Sequence, residues 1–186
     1  VGTWHDHAFP TYKSIIALND VYDFVGLAEP GESICSSFRD EQNILSVDEL
    51  LNMNDLDAVA IECEEENATH YAKMFAEKGI AIHLDKPGTQ DPHTFAELIK
   101  IVKASNLPFQ MGYMYRYNPM IMRCMDDIKH KKLGKVFSIE AQMSVCHDLE
   151  KRKWLGNYKG GMMYFLGCHL LDLILQIQGE PKKITV

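Results

Sequence analysis

Lys86 follows directly on the run Ile80-Ala81-Ile82-His83-Leu84-Asp85 and precedes Pro87. Residues 80, 81, 82 and 84 are apolar, which suits a short strand of a parallel sheet covered on both faces. The proline ring disfavours helical backbone at the residue before it, so Lys86 is expected to be extended. An ammonium there would stand at the carboxyl edge of a sheet, where open α/β folds bind ligands. A solvated lysine opening a turn is the plainer alternative. His169 and Asp172 are spaced i,i+3 in an otherwise apolar stretch, which puts an imidazole and a carboxylate on one helical face. Buried polar groups need partners or a cavity, and histidine with lysine can move a proton. The alternative is a core histidine satisfied by a carbonyl, with Asp172 capping a loop. His5 and His7 flank Asp6. Two imidazoles at i,i+2 with no third ligand in view fall short of a metal centre, and none is expected.

The elements that must position these groups follow from periodicity. Apolar residues recur at helical spacing over Tyr12 to Leu18, and residues 24–28 read as a strand closed by Glu29-Pro30. Ser46, with Glu49 three residues on, is a capping box opening a short helix. Residues 56–61 form the next strand, and Glu62, Glu64, Glu65 and Glu66 follow it. A helix then runs from about Asn67 to Lys78 and stops at Gly79. Residues 92–105 read as a helix and 107–113 as a strand. Strands alternating with helices of this length indicate βαβ units, a mostly parallel sheet and right-handed crossovers. Beyond Tyr113 the pattern changes. A helix is expected over about 120–131, a long alternating strand over 135–145, a polar loop over 146–159, one helix over about 162–178 buried on several sides, and a strand over 183–186. The domain boundary falls near residue 118. With neither an initiator methionine nor a complete strand ahead of Gly2, the first domain is expected to be clipped at its start, and the second to be truncated.

A net charge of −7 argues against a nucleic-acid or anionic-membrane binder, and no apolar run approaches a membrane span. The five cysteines are scattered and show no C-x-x-C pair, which suits reduced thiols in a cytoplasmic protein.

Several motifs together carry a family resemblance. They are Asp85-Lys86-Pro87; Gly112 followed by Tyr115-Arg116-Tyr117-Asn118-Pro119; Leu133-Gly134-Lys135; and Gly160-Gly161 followed by Gly167-Cys168-His169-Leu170-Leu171-Asp172. In type and order they resemble the glucose-fructose oxidoreductase / inositol dehydrogenase / MocA (Gfo/Idh/MocA) family of NAD(P)-dependent oxidoreductases. The resemblance implies an α/β protein with a Rossmann-type doubly wound parallel sheet over residues 1–118, followed over 119–186 by the start of an open-sheet α/β domain that often mediates oligomers. It implies hydride transfer between a sugar, cyclitol or related polyol and nicotinamide, with His169 as base and Lys86 holding the oxygen on which charge develops. It places Gly2, Thr3, Trp4, His5, His7, Glu29, Glu62, Lys86 and Arg116 at the cofactor, and Tyr115, Phe165 and Asp172 at the substrate. Glu29, about 27 residues after Gly2, is near the ~20 expected for the acid on the adenosine ribose, which favours NAD over NADP without excluding the latter.

The chain departs from the family at functional positions. Phe165 stands where an aspartate commonly precedes the histidine by four residues, on the same helical face. The loop expected as G-x-G-x-x-G reads Gly2-Thr3-Trp4-His5-Asp6-His7, with Trp4 where a glycine would admit the pyrophosphate. These departures motivate an alternative, a catalytically altered relative that binds nucleotide or sugar in a regulatory role. A hydrolase or lyase using bound NAD transiently is a third possibility.

Overall fold

The computed structural model describes residues 1–185. The chain divides into two compact units, Val1–Gly112 and Tyr113–Val186, so the division comes earlier than the boundary expected near residue 118.

In the first unit, helix α1 (Ala8–Ala17) precedes strand β1 (Leu27–Ala28), which pairs in parallel with β2 (Ile44–Leu45). Helix α2 (Val47–Leu51) has the expected capping box: Ser46 Oγ accepts from the Glu49 amide, and the Glu49 carboxylate accepts from the Ser46 amide. Strands β3 (Ala58–Ile61), β4 (Ala81–Leu84) and β5 (Phe109–Met111) form a parallel sheet in that order, linked through helices α3 (Glu65–Glu77) and α4 (Pro92–Ser105). Val1 and Gly2 join the two ladders. The Gly2 amide donates to the Ala28 carbonyl, and the Val1 carbonyl accepts from the Glu62 amide. The resulting order, β2-β1-(residues 1–2)-β3-β4-β5, is that of a Rossmann sheet.

Burial alternates across this sheet. Ala28 lies in the main core with Val59, Ile61, Ile82, Leu84, Phe75 and Leu98. Its neighbour Leu27 lies in a second cluster with Ala8 and Phe38. Successive strand residues point to opposite faces, so the sheet is covered on both sides, as the apolar strand runs required.

The second unit is helical among the described residues. Asn118 caps α5 (Pro119–Lys129), and Asp148 caps α6 (Leu149–Asn157). Two further helices, α7 (Gly161–Phe165) and α8 (Gly167–Gln178), occupy the stretch expected as one helix. Leu166, at φ −110° and ψ −39°, is the one-residue junction between them, while Gly160 and Gly161, both at positive φ, set where α7 begins. The expected burial on several sides is also not found, since Met162, Met163, Leu171 and Leu175 are exposed. The polar loop expected over 146–159 contains α6. The strand expected over 135–145 is absent, because a strand exists only through a ladder and no described residue pairs with this segment. Residues 183–185 form no strand either, and Val186 lies outside the described residues. No helix among the described residues is long and apolar enough to cross a membrane.

Candidate functional site

The carboxyl edge of the first unit's sheet gathers most of the predicted polar residues. Gly2 lies against the turn after β3, where a Cβ would come within 2.4 Å of the Cys63 nitrogen, so only glycine lets the chain pass. After β1, Glu29 accepts from the Thr3 amide at 2.7 Å, from Thr3 Oγ1 at 2.5 Å, and from the Gly31 amide at 2.8 Å. The loop from residue 3 to residue 7 is thus anchored at its start by the acid predicted for the ribose. Trp4 is exposed, and its indole donates to the Ser33 carbonyl at 2.7 Å.

The loop's far end is anchored by histidines. His7 Nδ1 lies 3.1 Å from Asp85 Oδ1, and His5 Nδ1 lies 3.3 Å from Asp85 Oδ2 and 3.7 Å from Glu62 Oε2. The other His5 nitrogen, Nε2, faces Glu65 at 3.6 Å. Thr11, in the first turn of α1, donates to Glu62 Oε1 at 2.9 Å. Burial alone would lower the basicity of His5. Its interactions with Glu62 and Glu65, with the charge of Asp85, outweigh burial and raise it to about 9. Burial alone would raise Asp85, yet His7, His5 and Lys86 hold it below the usual carboxylate range.

Lys86 directly follows this carboxylate and is only 2% exposed, which rules out the solvated lysine. Its peptide bond to Pro87 is cis. Gly112, ending β5, packs against the same turn. A Cβ there would lie 2.5 Å from Asp85 Oδ1 and 3.3 Å from the Lys86 nitrogen. The third member of the histidine cluster, Asp85, was not foreseen, because it lies 78 residues from His7 and only the β4 edge brings them together.

In the second unit, His169 is 2% exposed. The rings of Tyr115 and Tyr113 stand edge-on to it, with centroids 5.0 and 6.0 Å away. Arg116 grips Asp172 with two nitrogens, Nε at 2.8 Å from Oδ2 and Nη2 on Oδ1, and Gln176 adds a donor at 2.9 Å. Burial, with the nearby Cys168 and Asp172, pushes the Tyr113 hydroxyl up to about 12, so it stays protonated. Tyr115, Arg116, His169 and Asp172 therefore come together. Phe165 is buried against Trp154 and Tyr158, with Lys151 over its ring at 5.0 Å. Residue 165 closes α7 and residue 169 lies in α8, with Leu166 as the junction between them. Tyr113 was missed as a neighbour of His169, although an aromatic pair flanking residue 114 was a usable signal.

A parallel sheet that gathers at its carboxyl edge a glycine-led loop, an acid after β1 and a buried lysine after β4 defines a dinucleotide-binding Rossmann unit. The model of an oxidoreductase family with an NAD-binding Rossmann fold matches residues 9–113, and the model of the GFO/IDH/MocA C-terminal domain matches residues 122–186. The chain belongs to the Gfo/Idh/MocA family. It is similar to the uncharacterized oxidoreductase YhhX of Escherichia coli, 25% identical over 139 residues, covering 75% of this chain and 40% of YhhX. It is also similar to the D-xylose 1-dehydrogenase (NADP(+)) 2 of Haloferax volcanii, 21% identical, covering 88% of this chain and 52% of that protein. In fold it matches a Sinorhizobium meliloti protein solved as a candidate myo-inositol dehydrogenase, with TM-score 0.74, 18% identity, and coverage of 92% of this chain and 52% of that one. The chain thus spans about half the length of these relatives or less.

The residues present fit a nicotinamide dinucleotide at its ribose end, where Gly2, Thr3 and Glu29 are held together. The phosphate end is built differently. The Ala8 amide at the start of α1 is already taken by the His5 carbonyl, and Pro10 in the first turn has no N–H. Side chains of the loop take the place of bare backbone there.

Proposed function

We propose that the protein is an NAD(P)-dependent dehydrogenase acting on a sugar, cyclitol or related polyol. The reading rests on one observation above the others: in a unit of an NAD-binding family, an ammonium is buried directly after β4, at the sheet edge that binds dinucleotides. Bound nicotinamide supplies the hydride acceptor. As a carbinol C–H bond gives up its electron pair, the hydroxyl proton must leave for the carbonyl to form. His169 accepts that proton, and the Lys86 ammonium stabilises the oxygen while it carries charge. Arg116 holds Asp172 in a fixed orientation, and Tyr113 and Tyr115 fix the imidazole plane.

The test uses the intact protein. NADH or NADPH at millimolar concentration should raise the melting temperature, since a ligand of the folded state must stabilise it. A panel of polyols should then show turnover that falls about 10²–10⁴-fold in His169→Ala. A variant as fast as the parent would remove His169 from the chemistry.

Phe165 favours a second reading. An apolar ring locked in an aromatic cluster stands where relatives commonly carry an aspartate, which supports a protein that binds nucleotide or sugar without turning it over. Melting shifts with nucleotide, together with no reduction of NAD or NADP by any polyol, would favour it. A homo-oligomer and a cytoplasmic location complete the proposal. Residues 135–145 alternate, lack a ladder among the described residues and leave Phe137 90% exposed, which supports assembly through strand pairing. Sedimentation of the intact protein tests that assembly.

A further inference from the structure

Around His5 the side chains are arranged as ligands rather than as simple ion pairs. The Nδ1 atoms of His5 and His7 both face Asp85, at 3.3 and 3.1 Å, and one ligand atom from each of the three residues lies within 4.8 Å of the others. Tetrahedral zinc with bonds of about 2.0–2.1 Å requires neighbouring donor atoms about 3.3 Å apart. Glu62 adds a second, independent observation. It is 3% exposed, and its Oε2 has no hydrogen-bond partner although it points at the same nitrogen from 3.7 Å, while its Oε1 is occupied by Thr11.

A proton on His5 accounts for part of this arrangement but does not satisfy every acid around it. One N–H at Nδ1 can serve Asp85 or Glu62, and the Glu62 oxygen is left unsatisfied at a burial where that is costly. A cation meets Asp85 and both imidazoles at once and brings positive charge next to Glu62. It also gives a role to Glu65, whose buried Oε1 has no hydrogen-bond partner and faces His5 Nε2 at 3.6 Å. A histidine bound to metal through one nitrogen commonly gives its other N–H to a carboxylate, which fixes the tautomer and the ring.

We propose that His5, His7 and Asp85 bind a divalent first-row cation, with Zn2+ the ion best suited to two imidazoles and a carboxylate, and that Glu62 and Glu65 position His5. The ion ties the loop between Gly2 and α1 to the end of β4, with three protein donors and a fourth position left for another ligand. Three carboxylates gathered at an edge that also receives an anionic dinucleotide gain a compensating charge. This proposal goes beyond the dehydrogenase reading and does not depend on it.

The test is made on the intact protein, stripped with a chelator and titrated with Zn2+ against a chromophoric competitor, without nucleotide. One ion per chain is expected, with Co2+ substitution giving the intense visible bands of tetrahedral coordination. His7→Ala, at a ring that is one-third exposed and therefore replaceable, should weaken binding at least 100-fold, and Glu65→Gln about 10–100-fold. His93→Ala, at an exposed histidine on α4, should change nothing. X-ray absorption at the zinc edge of the parent protein needs no variant and should show nitrogen and oxygen donors including two imidazoles. Absence of stoichiometric binding, a shell with thiolate sulfur, or His7→Ala binding as tightly as the parent would each overturn the proposal.

Discussion

Gly112 shows how one missing side chain sets the position of a buried carboxylate. Its amide donates to the Leu84 carbonyl at 2.8 Å, which draws the end of β5 against the Asp85-Lys86 turn. A methyl group at residue 112 would press on Asp85 Oδ1 at 2.5 Å and on the Asp85 Cα at 3.1 Å. The second contact is backbone and cannot swing away. Gly112→Ala is therefore expected to cost about 1–3 kcal/mol, as overpacking does, and to move Asp85 away from His7. Urea unfolding measures the first effect. The second should appear as a change in the His7 ring resonances in the NMR spectrum of the folded variant. A variant as stable as the parent with unmoved His7 resonances would show that the β4 edge yields freely. The glycine was legible as part of a motif, but its reason was not, because the atoms it accommodates lie on another strand.

Helices α7 and α8 carry the corresponding lesson for elements. Apolar periodicity over 162–178 supports one continuous helix, and nothing in that pattern marks Leu166 as a break. The interruption is a single residue whose backbone stays in the right-handed helical region, and the aromatic cluster that holds Phe165 beside it forms only in three dimensions. Residues 135–145 failed for the opposite reason: alternation records which face a strand would bury, whereas a ladder needs a neighbour. By contrast, α2, α4 and β4 were legible nearly to the residue, because a capping box, a proline at the first turn and a closing Lys-Pro are local signals. The aromatic cluster around Phe165 also makes a prediction about the family aspartate. Phe165→Asp restores the commonly found residue type but puts a carboxylate among Trp154 and Tyr158. It is expected to lose about 3–5 kcal/mol, the cost of emptying a buried phenylalanine site, with a further penalty for an unpaired charge. Loss of the near-ultraviolet dichroism of the Trp154 cluster, with no gain in turnover, is the expected outcome. A stable variant with raised activity would mean that residue 165 reaches the reacting centre.

At the scale of the whole molecule, charge is expected to set which dinucleotide binds more tightly. The parallel sheet, the crossovers and the order of the functional motifs were legible because most strand runs are largely apolar and β1, β3 and β4 are each followed by an acid at the carboxyl edge. The partners of those polar residues were not legible, since they meet only when five separate strand ends are brought together. Glu29 supplies a local charge at the end of β1, and the chain as a whole carries −7. A 2′-phosphate would meet both. A unit charge about 4 Å from Glu29 feels roughly 4 kcal/mol near a protein surface, and even a strongly discounted fraction of that is worth at least ~10-fold in affinity. NAD is therefore expected to bind the intact protein at least ~10-fold more tightly than NADP at low ionic strength. The long-range part of that gap should shrink as salt shortens the Debye length to about 8 Å near 0.15 M, while the part due to Glu29 persists. Glu29→Gln should then bring the ratio of the two dissociation constants close to one. The ratio is the proper readout, because Glu29 also holds Thr3 and Gly31, so its replacement loosens the loop for both nucleotides alike. Fluorescence titration with NADH and NADPH measures it directly, and an equal preference in the parent protein would show that Glu29 does not face the ribose.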